Sequence, residues 1–288
     1  MTEHQVDYPG AQGHFLPDEI SFPTNSHSAI VIHKTGGDAR PRDVYENFVN
    51  CLTLPPGNKN RWKSAHYAIG QDGSIWQFVP EARGAGANGA TDETTEAFWQ
   101  PFLHDHGNLN KCTLSIEHCD PSGNNDTPLT PEQRNASFQF VTHLVRKYGI
   151  PTSNIKPHRS ICRTGCPGTY PMDDLIRFVQ EELDMLQITD SFAAAHFTSN
   201  QEGDRWHCIT TSFDVVYGIL KFYRKISGAP RLPLANERHD PQLDVTYQVF
   251  ESGIVVYDPD HKLDNPGDSN ACYLLKLNSD LAKHLLSH

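Results

Sequence analysis

The stretch Ser28-Ala-Ile-Val-Ile-His33-Lys-Thr-Gly-Gly37 constrains the chain more than any other. A short apolar run, Ala29 to Ile32, ends on a histidine and then breaks at Gly36-Gly37. That is how a buried strand delivers one side chain to the rim of a sheet. Taken alone, a histidine at a strand end is more often a core residue than a ligand. Downstream, the loop Pro157-His158-Arg-Ser-Ile-Cys-Arg-Thr164-Gly-Cys166-Pro-Gly168 offers a second imidazole and a thiol. Two histidines and one cysteine make a three-ligand zinc site with the fourth position open, the pattern of a catalytic zinc.

The elements between these points predict a mixed sheet covered by helices. Arg42 to Leu54 has Val44, Phe48 and Val49 at roughly helical spacing and stops at Pro55-Pro56-Gly57. Ala65 to Ile69 and Ser74 to Val79 read as strands joined by the hairpin signal Gly70-Gln-Asp-Gly73. Thr113 to His118 is another strand. Thr130-Pro-Glu-Gln133 carries a helix start, with a threonine cap, proline at the first position and glutamine three residues on. That helix ends at Tyr148-Gly149, and Met172 to Leu186 repeats the helical period at Leu175, Ile176, Val179, Leu183 and Leu186. The fold class is therefore α/β (α+β): a mixed central sheet flanked by helices, with a small C-terminal α+β domain.

The expected organisation is an arm over 1–27, a main domain over 28–187, a linker over 188–204 rich in Ala, Ser and Thr, and a second domain over 205–288. In that last part Phe213, Val216, Leu220 and Tyr223 suggest a helix broken at Gly228. Val245 to Phe250 and Ile254 to Tyr257 suggest a hairpin, Cys272 to Leu277 a last strand, and Ser279 the cap of a terminal helix. The tail loosely resembles small cell-wall-associated modules found beside bacterial hydrolases; a structural appendage is an equal expectation.

Composition excludes some functions. A net charge of -11 and a pI of about 5.8 argue against nucleic-acid or anionic-surface binding by bulk electrostatics. No apolar run approaches membrane-spanning length, so no membrane insertion is expected. The opening residues lack a signal-peptide pattern; the expectation is synthesis in the cytoplasm, with passage to the wall by a separate export or lysis route. Seven cysteines without a CxxC argue for reduced, mostly buried thiols.

Two other motifs compete. Gly84-Ala-Gly86-Ala-Asn88-Gly89 matches GxGxxG, but a hairpin precedes it and polar Thr91-Asp-Glu-Thr-Thr follows, so a loop bordering a cleft is the better reading. His104-Asp-His106 with Cys112 is a rival ligand cluster in a Gly/Asn-rich stretch with nothing to fix its geometry, and reads as solvated. His66 and His118, both on strands, read as satisfied core histidines. Glu117 alternates with Ile116, so the carboxylate could point into a cleft while the isoleucine packs.

In chain order stand the strand ending in His33, Ser64-Ala-His-Tyr67, Gln71-Asp-Gly-Ser-Ile-Trp-Gln-Phe-Val-Pro80, Ser115-Ile-Glu117, the Thr130 helix, Tyr148-Gly-Ile-Pro151, and His158 through Thr164-Gly-Cys166-Pro-Gly168. Each fragment alone is weak. The ordered set, over about residues 25–185, resembles the zinc N-acetylmuramoyl-L-alanine amidases, which share a fold with phage lysozyme-amidases and animal peptidoglycan recognition proteins. The resemblance implies zinc on His33, His158 and Cys166. It implies an endolysin- or autolysin-like enzyme that hydrolyses the amide between N-acetylmuramic acid and L-alanine in peptidoglycan. Glu117 falls where bacterial relatives of the recycling and periplasmic type place their catalytic carboxylate.

Thr164 stands two residues before the last ligand, as in recognition-protein amidases, where some relatives have lysine. It could donate a hydrogen bond to the carbonyl oxygen as that oxygen gains charge, or simply structure its loop. Ala65 replaces a tyrosine of phage members, and Asn88 occupies a position where many relatives have a histidine facing the substrate. The same fold also hosts muropeptide-recognition modules without catalysis and cytoplasmic amidases that recycle muropeptides. Recognition modules typically replace the cysteine ligand, so Cys166 favours an enzyme.

Overall fold

The computed structural model describes residues 4–89, 91, 94, 96–260, 263 and 271–287. The chain divides into two compact units, Met1–Glu182 and Leu183–His288. In the first unit the strands are β1 (Ala11–Gly13), β2 (Ser21–Phe22), β3 (Ala29–Lys34), β4 (Tyr67–Ile69), β5 (Ile75–Gln77), β6 (Gly84–Ala85), β7 (Thr113–His118) and β8 (Ile155–Pro157). The helices are α1 (Pro41–Leu52), α2 (Gln100–His106), α3 (Pro131–Tyr148) and α4 (Met172–Asp184). Six strands form one mixed sheet in the order β1-β5-β4-β7-β3-β8, with only the β4–β5 hairpin antiparallel. This is the mixed sheet with flanking helices that the periodicities predict.

β3 is an interior strand, between β7 and the edge strand β8, and is buried along its whole length, which is why it reads as an uninterrupted apolar run. Its pairing sets the site. In register, His33 lies opposite Glu117 and Ile32 opposite both Ile116 and Pro157. Because side chains alternate along a strand, Ala29, Val31 and His33 share a face, and the first two pack with Trp99, Leu109 and Ile161. The C-terminal ends of three parallel neighbours thus place His33, Glu117 and the residue after Pro157 on one rim.

Local chemistry holds the layers. Thr130 caps α3 by accepting the Gln133 N–H, and Gly149 ends it in the left-handed region at φ 65°. Buried Gln133 donates from Nε2 to the carbonyls of Ile69 and Cys119, tying α3 to the ends of β4 and β7. The arm lies along the sheet: β1 pairs with β5, Leu16 and Ile20 are buried, and the His14 ring stacks on Trp76. Gly84-Ala-Gly86 makes a two-strand pairing with β2 and opens no helix, so the stretch is not a dinucleotide turn. Thr91 is described, while residues 92, 93 and 95 of the polar stretch after it lie outside the described residues.

The second unit carries α5 (Ser191–His196), β9 (Phe197–Ser199), β10 (Arg205–Cys208), β11 (Asp214–Val216), α6 (Tyr217–Lys225), β12 (Arg238–Asp240), β13 (Val245–Phe250), β14 (Gly253–Tyr257), β15 (Cys272–Leu275) and α7 (Asp280–Leu286). Its sheets run β11-β10-β9 and β12-β13-β14-β15. The stretch 188–204, read as a linker, holds a helix and a paired strand; Ala193 and Phe197 are buried with Trp206, Val215 and Tyr223. Val216 belongs to a strand, and the helix begins only at Tyr217, whose φ of 46° breaks the extended chain. The β13–β14 hairpin and the Ser279 cap of α7 are as expected.

His66 and His118 are both core histidines, completely buried. His66 Nδ1 accepts the Ser115 N–H at 3.0 Å, which leaves Nε2–H to donate to the Arg83 carbonyl at 2.8 Å. Burial holds the His66 pKa down at about 4 against the carbonyl partner that would raise it. The folded chain therefore resists a proton that the unfolded chain accepts near pH 6.5. Stability from this group is complete above pH 6.5 and is lost as pH falls towards 4, about 3 kcal/mol in all. Denaturant melts of the metal-free chain from pH 8 to 4 should show this decline, and His66→Gln should flatten it. An identical slope in the variant would remove His66 from the account.

Candidate metal centre

Three side chains from separate parts of the first unit converge at the sheet rim. His33 closes β3, His158 follows β8 directly, and Cys166 arrives in the next loop. One ligand atom of each lies within 4.8 Å of the other two. Among the described residues this is the only group of three or more His, Cys, Asp or Glu so placed. The rival His104-Asp105-His106 is solvated: His104 and Asp105 bond each other on the surface, and Cys112 is buried elsewhere with its thiol donating to the Leu109 carbonyl.

The donor chemistry fits zinc. Burial lowers the proton affinity of both imidazoles, strongly for His33, so each offers a neutral nitrogen. Burial and the neighbouring Glu117 push the Cys166 thiol up to about 12. Only a bound cation would make it a thiolate near neutrality. The backbone is ready for that charge: the Lys34 N–H donates to Cys166 Sγ at 3.3 Å.

The cysteine loop is fixed by main chain. Thr164 Oγ1 accepts the Cys166 N–H at 3.2 Å, and Arg159 N–H donates to the Cys166 carbonyl. Gly168 at φ 56° could carry no side chain, because a Cβ would sit 2.1 Å from the Asn125 carbonyl oxygen. The 120–127 loop is held in turn by the buried Lys34 ammonium, which pairs with Asp120 at 2.6 Å and donates to the carbonyls of Asn125 and Thr127. Burial would raise the Asp120 pKa, but Lys34 and Ser122 bring it down to about 2.

Glu117 stands beside the donors. Its Oε1 is 4.0 Å from His33 Nδ1, its Oε2 is buried without a partner among the described residues, and its side chain is 16% exposed. Burial first, and then the Asp38 charge, raise its pKa to about 8, with Lys63 opposing. His33, Glu117, His158, Thr164 and Cys166 all line one cavity of about 360 Å³, with Lys63 on its wall. All five residues singled out in the sequence meet there. Ala65 is packed in the core beside Val44 and Phe48, so no functional group occupies that slot.

Three neighbours make contacts with these donors that the sequence reading did not give. Lys34 acts through both its backbone N–H and its ammonium. Cys162 brings Sγ to 3.2 Å from His158 Nε2. Asn88 is completely buried against the two histidines rather than lying open to the cleft. Lys34 and Asn88 meet partners far along the chain, whereas Cys162 lies four residues from His158. No disulfide joins any cysteines among the described residues.

A mixed sheet presenting two imidazoles and a thiol around an open cleft has the three-donor pattern of a catalytic single-zinc site. The chain belongs to the N-acetylmuramoyl-L-alanine amidase family, whose profile matches residues 23–169, just over half of its length. A comparison with curated proteins finds no match. Solved structures to which the chain is similar include the N-acetylmuramoyl-L-alanine amidase LysC from Clostridium intestinale URNW, 20% identical over 61% of this chain and 95% of that one, with a TM-score of 0.40. They also include a mutant endolysin from Bacillus subtilis, 17% identical over 58% and 95%, with a TM-score of 0.39. PlyL is 20% identical over 59% and 96%, with a TM-score of 0.43.

Purified without added metal, the wild-type chain should carry one zinc, and Cys166→Ser should lose most of it while keeping its circular dichroism spectrum. Serine is not deprotonated near neutral pH, so it cannot supply the thiolate charge. Full zinc content in the variant would exclude Cys166 as a ligand.

Proposed function

We propose that the chain hydrolyses the amide between N-acetylmuramic acid and L-alanine in peptidoglycan, with zinc on His33, His158 and Cys166 and Glu117 as general base and acid. The observation that carries this reading is the convergence of the three donors beside a carboxylate in one open cleft. When bound, zinc supplies Lewis acidity, polarising an amide carbonyl and lowering the pKa of water.

The chain's own residues do the rest. Glu117 takes a proton from the attacking water and delivers it to the departing L-alanine amine. Burial raises the proton affinity of Glu117, and a cation held by the neighbouring donors would lower it again, towards the range in which a carboxylate takes up and releases a proton near neutrality. Val44 and Phe48 belong to the apolar part of a wall that is otherwise polar. Thr164 serves its loop through the bond to the Cys166 N–H, and its hydroxyl proton remains available for a substrate carbonyl.

Purified sacculi incubated with the chain should yield new free L-alanine amino groups, identified by mass spectrometry. New reducing sugar ends or cleavage inside the stem peptide would overturn the assigned bond. Glu117→Gln should retain zinc and lose rate on the order of 10²–10⁴-fold, the usual contribution of a general base. A rate within a small factor of wild type would remove Glu117 from the mechanism.

We also assign the chemistry to the first unit, since every residue invoked lies within Met1–Glu182. A chain ending at Asp184, the last residue of α4, should still cleave a soluble muropeptide. A soluble, zinc-loaded product that cleaves nothing would place part of the machinery in residues beyond it.

A further inference from the structure

Asn88 has no place in the reaction described above, yet it is completely buried against the metal centre. Its amide orientation is fixed by chemistry. The Thr113 hydroxyl donates to the Leu109 carbonyl at 2.9 Å, so its oxygen must accept the second bond, 2.8 Å long, from Asn88 Nδ2. Asn88 N–H donates to Asn110 Oδ1, which anchors the backbone as well. With Nδ2 committed to Thr113, Oδ1 faces the other way. It is buried and has no other partner among the described residues.

The same is true of one nitrogen of His33. Nε2 is buried and unpartnered among the described residues, while Nδ1 faces Glu117 across the cleft at 4.0 Å. Neither atom makes a hydrogen bond among the described residues, and a buried acceptor and a buried ring nitrogen would complete one another if Nε2 carries the proton. The Asn88 amide does act on this ring, raising the proton affinity that burial lowers, and the Asn88 carbonyl does the same for His158.

We propose that Asn88 is a positioning residue for the metal centre: its Oδ1 accepts the Nε2–H of His33, fixing the tautomer that leaves Nδ1 as the zinc-binding nitrogen. A ligand histidine needs its second nitrogen held by an acceptor, which sets both the tautomer and the ring plane. Here the acceptor is a side-chain amide whose own orientation is dictated by Thr113. One residue then serves both histidines, by its side chain for His33 and by its backbone carbonyl for His158. The role of holding the ligands belongs to this chain's asparagine, not to Glu117, which stays available for proton transfer.

The inference rests on the zinc reading, and the test separates the two. In long-range ¹H–¹⁵N spectra of the zinc-loaded full chain, His33 should show a protonated Nε2 and a metal-bound Nδ1. Zinc affinity, measured by competition with a chromophoric chelator, should fall about 10–100-fold in Asn88→Leu, the usual effect of removing such a partner. Asn88→Asp keeps an acceptor, and the Thr113 hydroxyl can turn to donate to it, so affinity should recover to within a few-fold of wild type. A His33 protonated on Nδ1, or an Asn88→Leu chain that binds zinc as tightly as wild type, overturns the proposal. Should the leucine variant fail to fold, the wild-type spectrum alone decides. A wild-type chain that takes up no zinc would sink the zinc reading instead, and the Asn88–His33 bond would still stand or fall on the Nε2 proton.

Discussion

The parallel pairing of β3 with β7 is the constraint from which the rest of the site follows. A slip of one residue would turn His33 from the cleft face to the opposite face and set it against Ile116 or His118 rather than Glu117. Such a slip is costly because it also exposes or misplaces Ile30, Ile32, Leu114 and Ile116, all completely buried. Each large aliphatic side chain so buried contributes roughly 1.5–3 kcal/mol. The apolar residues of β3 thus specify where the polar side chain near its end stands. His118 reinforces the same register by bonding the His33 carbonyl from one ring nitrogen and Ser137 on α3 from the other.

What the sheet cannot position, buried polar contacts do. Cys166 lies in a loop, where a side chain is ordinarily free to wander. Here the preceding and following main chain is bonded on both sides, and the neighbouring 120–127 loop is pinned by an ammonium with almost no solvent contact. Removing one partner of such a pair leaves a buried unpaired charge, at a cost of about 3–5 kcal/mol. The strand that supplies His33 therefore also secures the Cys166 loop, through the next residue along.

Much of this was legible in the sequence, and the division has a physical basis. Patterns with a short period were readable: the apolar run of β3, the β4–β5 hairpin, and the cap and glycine stop of α3. The three donors were readable through the ordered set of short motifs that carries the family resemblance, since a histidine at a strand end alone reads as a core residue. Composition misled at 188–204, where small and polar residues hid a strand that packs through Phe197 alone. Spacing misled at Phe213 and Val216, which match a helical period but precede the backbone reversal at Tyr217. The contacts of Asn88 and Lys34 had no local signature: each depends on a partner tens of residues away, brought near only by the completed topology, whereas Cys162 meets His158 only four residues back.

That separation along the chain carries its own consequence. His33, Glu117, His158 and Cys166 come from four segments that meet only when β3, β7 and β8 lie side by side. No short stretch of the unfolded chain presents all three donors together, so zinc favours the folded chain. By mass action, free metal at a hundred times its dissociation constant adds about 2.7 kcal/mol to stability. An ion held by the three donors would tie the end of β3 to the chain that follows β8, besides supplying Lewis acidity. Its withdrawal would be felt as a lower melting temperature of the whole sheet, well away from the cleft where it sits.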